Sequence, residues 1–447
     1  MLSIHALWRA HSCVPRRDSS RRLPLNLYYR QASVETSLDA ARKSAYATSV
    51  LGLLRTLAVV AATCLAAPCQ NPDPKSATPR FPSHPDFKPT PEVPAMPKAL
   101  MKMPRTNISR AKFPVIDFHL HGQSLKTAAD YEKMIRLMDQ TGIGVICNMD
   151  GGFGKTFDRN MQVGAPYKDR IIHFARLDFN GINEAGWAEK TAAELERCFR
   201  AGAVGLKINK VLGLDLRNRD GSYIQADDPR FDPSWEMCAK YSKPVMIHIS
   251  DSYGRFLPIG PENERYEAGL WRSSPEGNYY KTGQPTPDVI EKARENMHAH
   301  HPRTRFVNAH MAMLYYDMDK VAALLDKYPN ADVELSATVQ DLGRAPRMIR
   351  EFFLKYQDRI LFGSDGNPSR GIEEFWVPHW RFLETFDEHF DHPAQLRSAT
   401  GAPLHGRWKI YGIGLPDDVL RKVYYANALR YLPAARATIE KQLAVQR

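Results

Sequence analysis

From residue 113 onward the chain alternates between two hydrophobic rhythms. Short runs rich in β-branched and aromatic residues, each closed by Gly, Pro or Asn, are separated by stretches whose apolar residues recur every three or four positions. The runs are FPVIDFHLH (113–121), GIGVICNMD (142–150), RIIHFARLDF (170–179), AVGLKINK (203–210), KPVMIHIS (243–250), RFVNAHM (305–311), ADVELSA (331–337) and RILFGSDG (359–366). Runs of this kind predict strands. The segments between them predict helices, for example AADYEKMIRLMDQTG, with Ile135, Leu137 and Met138 on its apolar side and Gly142 at its stop. Eight strand–helix units in succession are what a parallel barrel requires. An open doubly wound sheet would carry a Gly-rich phosphate loop after its first strand, and none is there. The expected fold is α/β, a (β/α)8 TIM barrel with a disordered N-terminal extension.

The first hundred residues follow neither rhythm. Residues 1–49 hold Arg pairs and Ser-rich patches without a sustained apolar period. The apolar stretch Leu57–Ala67, 11 residues long, is too short for a bilayer span, which needs about 20, and resembles the core of a signal peptide. Residues 1–70 are therefore expected to be a targeting or upstream segment. On that reading the true start lies downstream of Met1 and the protein is exported, periplasmic or extracellular. Cys64 and Cys69 are candidate lipid anchors, although Thr63 and Pro68 before them are not the small residues such a site prefers. Without a signal in 57–67 the protein is cytoplasmic. Ten prolines between Asn71 and Pro104 predict an extended linker over 71–107. The barrel is expected over 108–435, with a C-terminal tail at 436–447.

Composition changes the picture in two places. The net charge of +11 would point to nucleic acid, but +8 of it lies in residues 1–104, so the barrel has no basic excess and nucleic acid is excluded as a partner. Cys147, Cys198 and Cys238 stand singly, with no CxxC spacing, and are expected to be buried small apolar residues.

Two His-x-His pairs compete as candidate metal ligands. In VIDFHLHG (115–122), alternation along a strand sends Asp117, His119 and His121 to one side. In MHAHHP (297–302), His298 and His300 close a helical stretch; neighbours two apart on a helix diverge by about 200° and cannot share a metal. That pair, with His301, is expected to be a polar helix end whose imidazoles suit the C-terminal dipole. His248 and His310 lie near the ends of the fifth and sixth strands, and Asp365 ends the eighth. A barrel would not bury so many titratable groups at one mouth without a ligand to satisfy them. Imidazoles with one carboxylate suit a borderline divalent ion, zinc first, with manganese or iron also acceptable.

The ordered set D-x-H-x-H on strand one, His on five, His on six and Asp on eight resembles the amidohydrolase superfamily. Within it the chain is most similar to the amidohydrolase-related group that includes metal-dependent decarboxylases of the aminocarboxymuconate-semialdehyde type. The tail GLPDDVLRKVYYANALRYL (414–432) resembles that group's closing helix. The resemblance implies that His119, His121, His248 and Asp365 hold one divalent ion. It further implies that Asp365 doubles as catalytic base and that His310 contacts substrate or the catalytic water. Asp117 matches a position from which a carboxylate orients the strand-one ligands. Lys207 stands on strand four, where binuclear members carry a carboxylated lysine bridging two metals. Barrels of this group often form homodimers.

The implied chemistry is metal-assisted hydrolysis of a small amide, ester or lactone; the same ligands would also serve non-oxidative decarboxylation of a small carboxylated compound. Substrate contacts are expected from the long loops. Arg255, Trp271 and Arg272 lie in 251–285, and Trp376, His379 and Trp380 in 366–413.

Overall fold

The computed structural model describes residues 100–445 apart from 259, 267–277, 368–372 and 393–405. The signal-like stretch and most of the Pro-rich segment therefore lie outside the described residues, as do Trp271 and Arg272. All eight expected strands form: β1 (Val115–Leu120), β2 (Ile143–Asn148), β3 in two segments (Ile171–His173 and Ala175–Arg176), β4 (Leu206–Ile208), β5 (Val245–Ile247), β6 (Phe306–Asn308), β7 (Ala331–Glu334) and β8 (Ile360–Leu361). Each pairs in parallel with the next, the first segment of β3 with β2 and the second with β4. The cylinder closes where Leu120 bridges Gly366 and where the Phe118 and His121 N–H groups donate to the Phe362 and Gly366 carbonyls at 3.0 and 2.8 Å. The fold is a (β/α)8 barrel.

Helices follow the strands in turn: α1 (Ala128–Thr141), α2 (Gly154–Gly164), α3 (Trp187–Arg200), α4 (Asp232–Lys240), α5 (Pro287–His300), α6 (Met318–Lys327), α7 (Pro346–Lys355) and α8 (Glu373–Glu384). Local signals set their ends. Thr127 and Asp130 form a capping box at the start of α1, and Gly142, at φ 92°, stops it in the left-handed region that glycine adopts without cost. The core face of α1 is broader than expected, with Ile135 and Leu137 packed at its edge. Tyr131, Met134, Met138 and Thr141 are buried, whereas Ile135 and Leu137 are only partly so. After α8, α9 (Asp417–Arg421) continues through a π turn, and Asn427 just beyond it clasps β8, its Nδ2 donating to the Gln357 and Ile360 carbonyls at 2.7 Å each.

Two further expectations are corrected by packing. His298 is not a polar helix end: it is 1% exposed, edge-on to Phe306 and stacked on Tyr328, with Nε2 3.3 Å from Asn308 Oδ1. Burial pushes its pKa down to about 3, so the ring is neutral and contributes nothing to the helix dipole. Trp376 and Trp380 are not lid residues. Both are fully buried on α8, one turn apart, and Trp380 stacks on Phe362. Cys147, Cys198 and Cys238 are free and buried, as expected. No helix among the described residues is long and apolar enough to cross a membrane.

The depressed pKa of His298 makes a stability prediction. Between the unfolded value of 6.5 and the folded value of about 3, the unfolded chain holds the extra proton, so stability falls as pH falls through that window. Replacing His298 with Phe should flatten the acid side of the stability curve by up to ~1.4 kcal/mol per pH unit. Urea unfolding at pH 6 and pH 5 reads that slope independently of any constant loss of packing.

Candidate metal centre

The first strand delivers its polar residues to different partners, because its ladder with β2 is irregular between Asp117 and Leu120. Asp117 does not share the surroundings of the two histidines. Its carboxylate accepts from Ser364 Oγ (2.6 Å), Trp376 Nε1 (2.7 Å), Ser364 N (3.0 Å) and His119 N (3.2 Å). It reaches His119 through the main chain, and burial pushes its pKa up to about 7 in spite of those four donors. The strict alternation expected for this strand is broken by the bulge.

His119 and His121 are braced alike. His119 Nδ1 lies 2.9 Å from Glu334 Oε1, and His121 Nδ1 lies 2.9 Å from Asp150 Oδ2. Their Nε2 atoms then fall 3.4 and 3.3 Å from the same Oδ1 of Asp365. Asp365 is turned back toward them by a left-handed backbone, φ 54°, whose N–H donates to the His119 carbonyl at 2.7 Å. Burial, helped by Lys207, lowers the His119 pKa to about 4. At His121 burial is outweighed by its bonds to Asp150 and Asp365, which push it up to about 9. Burial of Asp365 is likewise outweighed, first by His119 and then by His121 and His310, so its carboxyl lies well below the usual range.

From strand four, Lys207 is buried with Nζ 2.9 Å from His119 Nε2, and burial lowers it to about 8. From strand six, His310 begins a run of four non-glycine residues in the left-handed region: φ is 56°, 51°, 60° and 57° at His310, Met311, Ala312 and Met313. Such backbone costs on the order of 1–2 kcal/mol per residue. It is held by the His310 N–H on Glu334 Oε1 (2.9 Å), by His310 Nδ1 on the Ser336 carbonyl (2.8 Å), and by Arg294, which donates to the Ala312 carbonyl. His248, at the end of β5, sits with Nδ1 3.2 Å from His310 Nε2. Its Nε2 is buried without a hydrogen-bond partner, and burial drives its pKa far down.

The structure thus gathers His119, His121, Lys207, His248, His310 and Asp365. Donor atoms of His119, His310 and Asp365 lie within 4.8 Å of one another, while His248 meets the group through His310. Arg255 is bound elsewhere, its Nε 3.2 Å from Asp251 Oδ1. Two acids that the sequence reading passed over are central. Glu334 accepts from His119, from the His310 N–H, and from Ser336 N and Oγ at 2.6 and 2.7 Å. Those partners outweigh its burial and hold its pKa at about 2. The available signal was a carboxylate inside ADVELSA, a strand buried on both faces; Asp150 ends ICNMD in the same way.

A sequence model of the family described as Amidohydrolase matches residues 116–434. No curated protein matches the chain. Solved structures similar to it include an uncharacterized TIM-barrel protein from Bordetella bronchiseptica (15% identity, 72% of this chain and 100% of that one, TM-score 0.41). Others are a 2,6-dihydroxybenzoate decarboxylase from Rhizobium (16%, 72% and 98%, 0.40) and a 4-oxalomesaconate hydratase from Rhodopseudomonas palustris (13%, 74% and 100%, 0.42). Likenesses this distant say nothing about the reaction.

Removing Glu334 tests the arrangement. Glu334→Ala leaves His119 Nδ1, the His310 N–H and both Ser336 donors without their acceptor. Leaving a buried donor without its acceptor typically costs ~1–3 kcal/mol, and several are left here, so the loss should reach ~3–5 kcal/mol. Denaturant unfolding should show a loss of that order, and Glu334→Gln, which keeps an acceptor oxygen, a smaller one.

Proposed function

Because the chain belongs to the amidohydrolase family, we propose that it is a metal-dependent hydrolase of a small amide, ester or lactone. The observation that carries this reading is the convergence of His119 Nε2 and His121 Nε2 on one oxygen of Asp365, at 3.4 and 3.3 Å. Three features favour a cation among them. Both rings are held by carboxylates at Nδ1, which leaves Nε2 as the donor atom. The Lys207 amine donates to His119 Nε2 at 2.9 Å, so that nitrogen carries its lone pair and presents it inside the cluster. His248 offers a buried, partnerless Nε2. His119, His121, His248 and Asp365 would hold one divalent ion, with zinc, manganese and iron all compatible with imidazole and carboxylate donors.

When bound, such an ion lowers the pKa of its water from about 15.7 to about 7. Asp365 is the proton acceptor: its side chain is 31% exposed, so it borders both the buried imidazoles and the open mouth. It would take the proton from water as the oxygen bonds to the carbonyl carbon, and return it to the leaving group as the bond to that group breaks. His310 donates from Nδ1 to the Ser336 carbonyl and its Nε2 lies 3.2 Å from His248 Nδ1, so in this scheme it orients His248 and borders the attacking oxygen. Lys207 remains an amine in this scheme, and Asp117 supports the main chain of His119 from behind.

One observation favours a second reading, non-oxidative decarboxylation. Arg176 and Lys207 are register partners on adjacent strands, and both touch the cluster, through Asp150 and His119 respectively. Two neighbouring cations suit a carboxylated substrate.

Metal analysis of purified protein should find one ion per chain, and His119→Ala combined with His121→Ala should abolish it; a double variant that keeps its metal removes the site. A panel of esters, lactones and amides, run beside carboxylated aromatics monitored for CO2, separates the two readings. Asp365→Asn should lower turnover of the responding class by at least ~100-fold.

A further inference from the structure

Asp150 is not a member of the donor set proposed above, yet it is held more firmly than a rim carboxylate needs to be. Its Oδ2 lies 2.9 Å from His121 Nδ1, and its Oδ1 accepts Arg176 Nη1 at 2.9 Å. Its own N–H donates to Asn148 Oδ1 at 2.9 Å, and the same oxygen receives the Gly122 N–H at 2.9 Å. One amide thus ties the residue after His121 to Asp150. That amide is itself fixed, since Asn148 Nδ2 lies 3.1 Å from His173 Nδ1. The clasp is tight enough that a Cβ on Gly122 would stand 2.5 Å from Asn148 Oδ1. Asn160 Nδ2 completes it by donating to the Asp150 carbonyl at 3.1 Å.

The two strand-one histidines need this support unequally. His119 is fully buried, and its acid, Glu334, lies in the barrel interior with donors on every side. The His121 side chain is 21% exposed, so water competes for its ring nitrogens. An imidazole free to rotate, or to carry its proton on Nε2, is lost as a donor to a cation. We propose that Asp150, braced by Arg176, is a positioning residue of the metal centre. It fixes the His121 ring through Nδ1, so that Nε2 stays turned to the side of Asp365 and is the atom a cation would take. The proposal rests on the metal reading above.

The test is a metal titration of the full chain without substrate. Metal-free wild type, Asp150→Asn, Asp150→Ala and Arg176→Met are titrated with Zn2+ against a chromogenic chelator, and the visible spectrum is recorded with Co2+. Loss of a carboxylate behind a ligating histidine typically costs ~10–100-fold in metal affinity. Asp150→Ala should fall at the upper end of that range and Asp150→Asn, which keeps the shape, at the lower end. Arg176→Met should show a smaller loss. The cobalt bands of the Asp150 variants should shift, which a defect in folding alone would not produce. Wild-type zinc affinity together with an unchanged cobalt spectrum in Asp150→Asn overturns the proposal. If wild type itself binds no metal, it is the function proposed above that fails.

Discussion

The site depends on burying one ionised carboxylate. Glu334 is fully inaccessible at the end of β7, and a charge so placed is tolerated only when its lone pairs are satisfied. Its partners are His119 Nδ1, the His310 N–H, and the N–H and hydroxyl of Ser336. They come from strands one and six and from the loop after strand seven. Neutralising Glu334 therefore requires those segments to meet at one depth, and it is this meeting that turns the Nε2 of His119 toward Asp365.

The same hub accounts for backbone that would otherwise be unfavourable. Four successive non-glycine residues from His310 to Met313, and Asp365 on the far side of the mouth, occupy the left-handed region. Strain of this sort persists only where the surroundings over-determine it, and it gathers at functional sites. Here Glu334 holds the first N–H of the left-handed run, and the buried Arg294 holds a later carbonyl. The return is geometric: His310 leaves the end of β6 with its ring beside His248 and His119.

The site is graded from dry to wet. Glu334, His119 and Lys207 lie in the interior, whereas His121 and Asp365 border the mouth with 21% and 31% of their side chains exposed. Protons and small molecules exchange most readily at the wet edge, while the dry side keeps its imidazoles neutral and oriented. Arg176 and Asp150 stiffen the wet edge, where ordering by burial is weakest.

The eight strands and their order were legible because each is a local pattern of seven to ten residues. So was the placing of one His-x-His pair on a strand and the other on a helix, since strand and helix periodicity are local too. The bulge that separates Asp117 from the histidines and the burial of His298 and Trp376 were not, because each answers to neighbours supplied by other elements. Glu334 and Asp150 were missed for the same reason. An acid at the end of a strand reads locally as a solvated terminus, and its meaning comes from partners as far as 215 positions away in the case of Glu334 and His119. The chain's own pattern settled the barrel and which histidines stand at strand ends. Pairing of β1 with β2 and closure of the cylinder against β8 decided which carboxylate orients each ring, because hydrogen bonds select partners by distance in space and a linear pattern carries no such distance.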